Sequence, residues 1–93
     1  MPATNADASY VVAITGAGGR IAYSLVPLIC DGSIFGKNAR ISLRLIDIDA
    51  AMGRLEGLKM EIQDSSYELL DSVWYGTDTE AGFAGAHVTI LLG

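Results

Sequence analysis

The chain has 93 residues, 51% of them hydrophobic, and eleven glycines, a composition for one small globular domain with a packed core and not for a disordered segment. Its formal charge is −5, and its six cations, Arg20, Lys37, Arg40, Arg44, Arg54 and Lys59, are scattered, which excludes non-specific nucleic-acid binding through clustered Lys and Arg. A single cysteine, Cys30, and a single histidine, His87, exclude an internal disulfide and a metal-ligand cluster of familiar spacing.

Residues 1–9 carry neither a basic region nor an apolar one, so they read as a mobile tail and not as a signal peptide. No apolar run approaches membrane-spanning length, so no membrane partner is expected. The lone cysteine is compatible with a reducing cytosol. Residues 10–15 are a nearly unbroken β-branched run, the pattern of a strand buried on both faces of a parallel sheet. A glycine-rich bend, Gly16-Ala17-Gly18-Gly19, follows directly. From Gly19 onward Ile21, Leu25, Leu28 and Ile29 recur at helical spacing and predict one buried stripe, with Pro27 kinking the helix. Residues 31–38 hold two glycines and several turn formers and make a loop.

A second strand is expected over residues 41–47, with Ile41, Leu43 and Leu45 on one face and Asp47 at its end. Asp49 is the expected N-cap of a long helix over residues 50–70, carrying Leu55, Leu58, Ile62, Ser65 and Leu69 at threes and fours. Gly53 and Gly57 inside it cost helix stability, which predicts a close packing contact there. Residues 72–76 read as a third strand. Thr77 and Asp78 cap a short helix through Phe83, and residues 87–93 are a fourth, apolar strand. Right-handed crossovers then give a parallel Rossmann-type α/β sheet of order 3-2-1-4 with helices on both faces. Two further strands are usual in that fold, so the sequence is expected to be the N-terminal part of a larger domain, or to have its exposed edge covered by a partner.

Two features carry chemistry. A strand that ends in a glycine bend aims the unpaired N–H groups of the next helix at one point, where the helix dipole adds positive charge, and an anion fits there. Gly16 supplies the tight turn, Gly19 lets a phosphate approach the backbone, and Ala22 is small enough for the helix to lie close to the sheet; Gly18 fits a two-plus-three glycine spacing whose third position is Ile21. Arg20 either neutralises a phosphate or is a solvated first-turn residue. Asp47, at the end of the second strand, sits where an acid accepts the ribose hydroxyls of a dinucleotide and repels a 2′-phosphate, selecting NAD over NADP. His87 reads as a strand-start residue, Cys30 as a small buried apolar group, Trp74 and Tyr75 as strand core, and Glu56, Glu61, Gln63 and Asp64 as a solvated helix face.

With these residues placed, the stretch from Val11 to Gly93 resembles the N-terminal portion of malate dehydrogenases of the cytosolic type. The matching words are residues 15–25 (TGAGGRIAYSL), 32–37 (GSIFGK), 45–48 (LIDI), 55–57 (LEG), 60–64 (MEIQD) and 85–93 (GAHVTILLG). The resemblance implies that Gly16, Ala17, Gly18, Gly19, Arg20, Ile21 and Ala22 hold the NAD pyrophosphate, that Asp47 holds the adenosine ribose, and that the two long helices contribute to a homodimer interface. It also implies a cytoplasmic enzyme of the tricarboxylic acid cycle that oxidises the dicarboxylate malate to oxaloacetate. In that family the substrate arginines and the proton-relay histidine lie beyond the position of Gly93, so no residue here is carried over as catalytic and the fragment is expected to be inactive. Three departures stand out. Arg20 replaces a usual glutamine, Asp49-Ala50-Ala51 lacks a common proline pair, and Ser65-Ser66 replaces a Cys-Ala pair. A lactate dehydrogenase of malate dehydrogenase descent, an extended short-chain dehydrogenase or epimerase, which also opens with the pattern of residues 15–22, and a non-enzymatic nucleotide-binding module are the alternatives.

Overall fold

The computed structural model describes residues 8–92. They form β1 (Ser9–Thr15), α1 (Arg20–Cys30), β2 (Arg40–Ile46), a 3-10 turn (Asp49–Ala51) leading into α2 (Met52–Asp64), β3 (Leu70–Gly76), α3 (Thr79–Phe83) and β4 (Val88–Leu91). The four strands make one sheet of order β3-β2-β1-β4, with every neighbouring pair parallel. Most of the expected tail lies outside the described residues. Ser9 is already in β1, and the Ala8 carbonyl accepts the Arg40 N–H at 2.8 Å.

The strand register explains where the core lies. Tyr10, Val12 and Ile14 of β1 stand opposite Ile41, Leu43 and Leu45 of β2, and Val73 and Tyr75 of β3 continue the same face. Side chains alternate along a strand, so these residues share one side of the sheet. Helices α1 and α2 close it, Ala22, Val26, Ile29 and Cys30 from the first and Leu55, Leu58 and Ile62 from the second joining one continuous cluster. On the opposite side α3 covers Ile46 and Trp74. The Arg44 guanidinium reaches across to the carbonyls of Ala81 at 2.9 Å and Ala84 at 3.1 Å. A bulge between Ile41 and Ser42 leaves Asp71 as the extra residue of β3, and its carboxylate pairs with Arg40.

Several expectations about the helices need correction. In α1 the buried face is Ala22, Val26, Ile29 and Cys30, whereas Ile21 and Leu28 are 68% and 45% exposed. Counted from Ala22, positions i, i+4, i+7 and i+8 lie on one helical face, and Ile21 and Leu28 fall to either side of it. The helix also continues past Pro27 to Cys30, and the Asp31 N–H donates to the Pro27 carbonyl at 2.9 Å.

Asp49 caps nothing with its side chain. The chain makes a 3-10 turn first, and Ala51, fully buried, is the residue that precedes α2. That helix ends at Asp64 and not at residue 70, because the Ser65 hydroxyl donates back to the Glu61 carbonyl at 2.9 Å and Ser66 turns to φ 55°. Such local bonds compete with the helical ladder. Finally, among the described residues nothing beyond α2's own nearby backbone lies within 4 Å of where a Cβ on Gly53 or Gly57 would stand, so no close packing contact accounts for either glycine. By contrast Asp78 does cap α3, its carboxylate accepting the Ala81 N–H at 3.1 Å.

Candidate functional site

The parallel register ends β1, β2 and β3 at the same edge of the sheet, and there the chain leaves each strand into a turn. A cleft of about 580 Å³ opens at this edge, lined by Thr15, Gly16, Asp47, Asp49, Thr77 and Leu92 among others. Ligands of open α/β sheets sit outside the carboxyl ends of the strands, where neighbouring connections part in opposite directions. Between β1 and β4 the connections do part, since β2 lies on one side of β1 and β4 on the other. The Thr15 hydroxyl ties these two strand ends together, donating to the Leu92 carbonyl at 3.3 Å and accepting the Leu92 N–H at 3.1 Å.

Gly16 takes φ 65°, the left-handed region that only glycine enters without strain, and the turn closes as the Gly19 N–H donates to the Gly16 carbonyl at 3.1 Å. Ala17 is buried, and its N–H donates to the Ile46 carbonyl at 3.1 Å, which fastens the turn to the end of β2. Gly19 is the N-cap of α1. The first backbone bond of the helix runs from the Tyr23 N–H to the Gly19 carbonyl at 3.1 Å, so the amides of Arg20, Ile21 and Ala22 precede the ladder. Ala22 places its methyl in the core, as a small third position requires. The side chains of Arg20 and Ile21 are exposed on the outer face of α1 with Ser24 and Leu28, so what these two residues offer an anion is backbone.

Asp47 is the junction of the site. Its Oδ2 accepts the Gly18 N–H at 2.8 Å and its Oδ1 accepts the Ile48 N–H at 2.8 Å, while its own N–H donates to the Gly76 carbonyl at 3.3 Å. The carboxylate is therefore fixed in orientation by two amides, and it lines the cleft. A carboxylate has about four lone-pair positions, so each oxygen retains one for a further donor. Sequence reasoning placed the ribose acid and the glycine turn separately. In space they are bonded to each other.

One contributor was missed. Arg54, on the first turns of α2, donates from Nε to the Gly18 carbonyl at 2.9 Å, and in the sequence it was only one of six scattered cations. No local pattern in the sequence marks it, because its partner is a backbone carbonyl far away in the chain. His87 lies elsewhere. Its Nδ1 accepts the Val11 N–H at 2.8 Å, toward the start of β1, at the opposite end of the sheet from the cleft. Cys30 is 1% exposed, and burial, with the Asp31 charge adding to it, pushes its thiol up to about 11. Among the described residues no group of three or more His, Cys, Asp or Glu could hold a metal ion, and no helix is long and apolar enough to cross a membrane.

A parallel sheet of order 3-2-1-4 with a glycine turn between its first strand and first helix is the Rossmann-type fold of dehydrogenases. Within that class the chain resembles the N-terminal part of malate dehydrogenases. It is 45% identical over 82 residues to a probable malate dehydrogenase 3 of Dictyostelium discoideum and 42% identical over 82 residues to a malate dehydrogenase of Magnetococcus marinus, in both cases covering 88% of this chain and 25% of the relative. The chain thus spans about a quarter of the length of the curated relatives it matches. Among solved structures, malate dehydrogenase from Naegleria fowleri superposes with a TM-score of 0.89 at 38% identity, over 91% of this chain and 26% of that one. Lactate dehydrogenase of Trichomonas vaginalis in complex with NADH and oxamate gives 0.86 at 34% identity, over 90% of this chain and 25% of that one. No protein-family model matches the sequence.

Proposed function

We propose that this chain is the NAD-holding portion of a malate dehydrogenase. The observation that carries the reading is the Asp47 carboxylate, pinned by the Gly18 and Ile48 amides at the mouth of the cleft with acceptor capacity to spare. Those remaining lone pairs accept the two hydroxyls of the adenosine ribose, and the charge repels a 2′-phosphate, so NAD is favoured over NADP. The diphosphate meets the first-turn amides of α1, at Arg20 and Ile21, where the helix dipole is positive and no side chain of Gly16, Gly18 or Gly19 stands in the way.

The fit of the residues to a dinucleotide is supported by two features of the turn. Gly16 needs no Cβ to hold φ 65°, and Ala22 lets α1 approach the sheet. Bound NAD supplies the hydride acceptor, on its nicotinamide ring. This chain's residues supply binding and orientation. Its one histidine is occupied by Val11 far from the cleft, so we assign no acid–base role to any described residue and expect no turnover from the chain by itself.

In the whole enzyme the reaction is oxidation of malate, a small dicarboxylate, to oxaloacetate within the tricarboxylic acid cycle. A cytoplasmic homodimer is the accompanying proposal, its interface drawing on α1 and α2, whose exposed apolar side chains include Ile21, Leu28 and Met60. A lactate dehydrogenase is the second reading, favoured by the 0.86 superposition on the Trichomonas vaginalis enzyme. Calorimetric titration of the chain with NAD and NADP tests the binding claim: saturable NAD binding with weaker NADP supports it, and absent or equal binding overturns it. Enzyme assays of the whole protein with malate and lactate decide between the two substrates.

A further inference from the structure

The Gly18 residue is held from both ends. Asp47 of the β2 terminus takes its N–H at 2.8 Å, and Arg54 of α2 gives its Nε–H to the Gly18 carbonyl at 2.9 Å. Three elements converge on this one residue. A Cβ built on Gly18 would stand 3.0 Å from the Ala51 Cβ, 3.1 Å from Asp47 Oδ2 and 3.4 Å from Arg54 Nε, so the guanidinium belongs to the wall of the turn although Arg54 is an exposed residue.

A peptide unit is planar and trans, so fixing a carbonyl fixes the direction of the N–H on the other side of the same plane. Arg54 draws the Gly18 carbonyl toward α2. The Gly19 N–H is thereby sent the opposite way, where it meets the Gly16 carbonyl at 3.1 Å and closes the turn. Gly19 is also the N-cap of α1, so this plane is the last before the amides of Arg20 and Ile21, whose direction follows from it through the Gly19 dihedrals, φ −89° and ψ 175°. A charge-assisted bond from a forked, permanently ionised donor is well suited to hold such a plane.

We propose that Arg54 is a positioning residue for the anion-binding turn, acting through the Gly18–Gly19 peptide to aim the first amides of α1 at a diphosphate. This inference rests on the NAD reading above. Arg54 acts on the phosphate part of the ligand, whereas Asp47 acts on the ribose. The guanidinium shares the space between α1 and α2 with Tyr23 and Glu61, so it is held on the helix side of the turn and leaves the ribose side to Asp47.

The test compares ADP with adenosine as calorimetric probes of the chain, in wild type and in Arg54→Ala, Arg54→Met and Arg54→Lys, with amide hydrogen exchange of Gly19 and Arg20 measured in the ligand-free proteins. The expected result is about a tenfold loss of ADP affinity in Arg54→Ala and Arg54→Met, the worth of one charge-assisted hydrogen bond near the surface. Adenosine affinity stays within about twofold, Arg54→Lys recovers much of the loss by restoring a charged donor, and exchange at Gly19 rises in the first two variants. Failure of ADP to bind the wild type overturns the NAD reading and this proposal together. If ADP binds the wild type but the variants bind it equally well, or lose ADP and adenosine alike, Arg54 alone is overturned.

Discussion

Asp47 and Gly18 are 29 residues apart in sequence and joined by a 2.8 Å hydrogen bond from the glycine amide to the carboxylate. The acid we propose to hold the ribose is therefore also a strut of the turn we propose to receive the diphosphate. Asp47→Asn keeps the shape but leaves one acceptor oxygen where two are in use, so either the Gly18 or the Ile48 amide loses its partner. NAD affinity is expected to fall about tenfold to a hundredfold, from the loss of one or two hydrogen bonds to a charged group. Removing the charge also lifts the repulsion of a 2′-phosphate, so the ratio of NAD to NADP affinity narrows. Calorimetry with both nucleotides measures this, and an unchanged ratio refutes the assignment.

The glycines divide sharply by position. Gly18→Ala forces a Cβ to 3.0 Å from the Ala51 methyl carbon and 3.1 Å from Asp47 Oδ2, an overpacking expected to cost about 1–3 kcal/mol. Gly57→Ala, in the middle of α2 with open space around it, is expected to stabilise by about 0.5–1 kcal/mol through helix propensity. Urea denaturation of the two variants should move the midpoint in opposite directions.

Burial sets the chemistry of Cys30. Its thiol is raised to about 11 by desolvation first and by the Asp31 charge second, so the folded chain favours the neutral form. A group raised on folding contributes fully below its unfolded value, about 8.5 for cysteine, and loses that contribution as pH climbs through the folded value. Stability should accordingly decline between about pH 8.5 and 11, with a shallower decline in Cys30→Ala. At neutral pH a thiol reagent should modify the native chain slowly and the urea-unfolded chain fast; equal rates would show the thiol to be accessible.

The phase of α1 can be checked in the same way. Val26 is fully buried and Ile21 is 68% exposed, so Val26→Ala is expected to cost about 1–3 kcal/mol and Ile21→Ala to stay within about 0.5 kcal/mol in the monomeric chain. Reversed magnitudes, read from denaturant midpoints, would restore the stripe that hydropathy alone predicts.

Those positions also show how much was legible in the sequence. The strand runs, the glycine bend, the position of Asp47 at the end of β2 and the Asp78 cap depend on local patterns that can be read one segment at a time, and the order of the sheet follows from the alternation of strands and helices with right-handed crossovers. Where tertiary packing overrode local preference, reading failed. Ile21 is more apolar than Ala22, yet the face of α1 that joins the core carries Ala22 and turns Ile21 outward. Asp49 is a good cap by type, but the buried Ala51 fixes the start of α2 beneath the glycine turn. Arg54 was invisible because its partner is a backbone carbonyl 36 residues away, and only the assembled fold brings the two together.

The most direct test of the central claim is an amide-resolved NMR titration of the isotopically labelled chain with NAD. The account predicts that the largest shifts fall on the amides of Gly16, Gly18, Gly19, Arg20 and Ile21 and on Ile48 beside Asp47, while residues at the other end of the sheet, such as Val11 and His87, stay still. Shifts centred anywhere else, or none at saturating NAD, would contradict it.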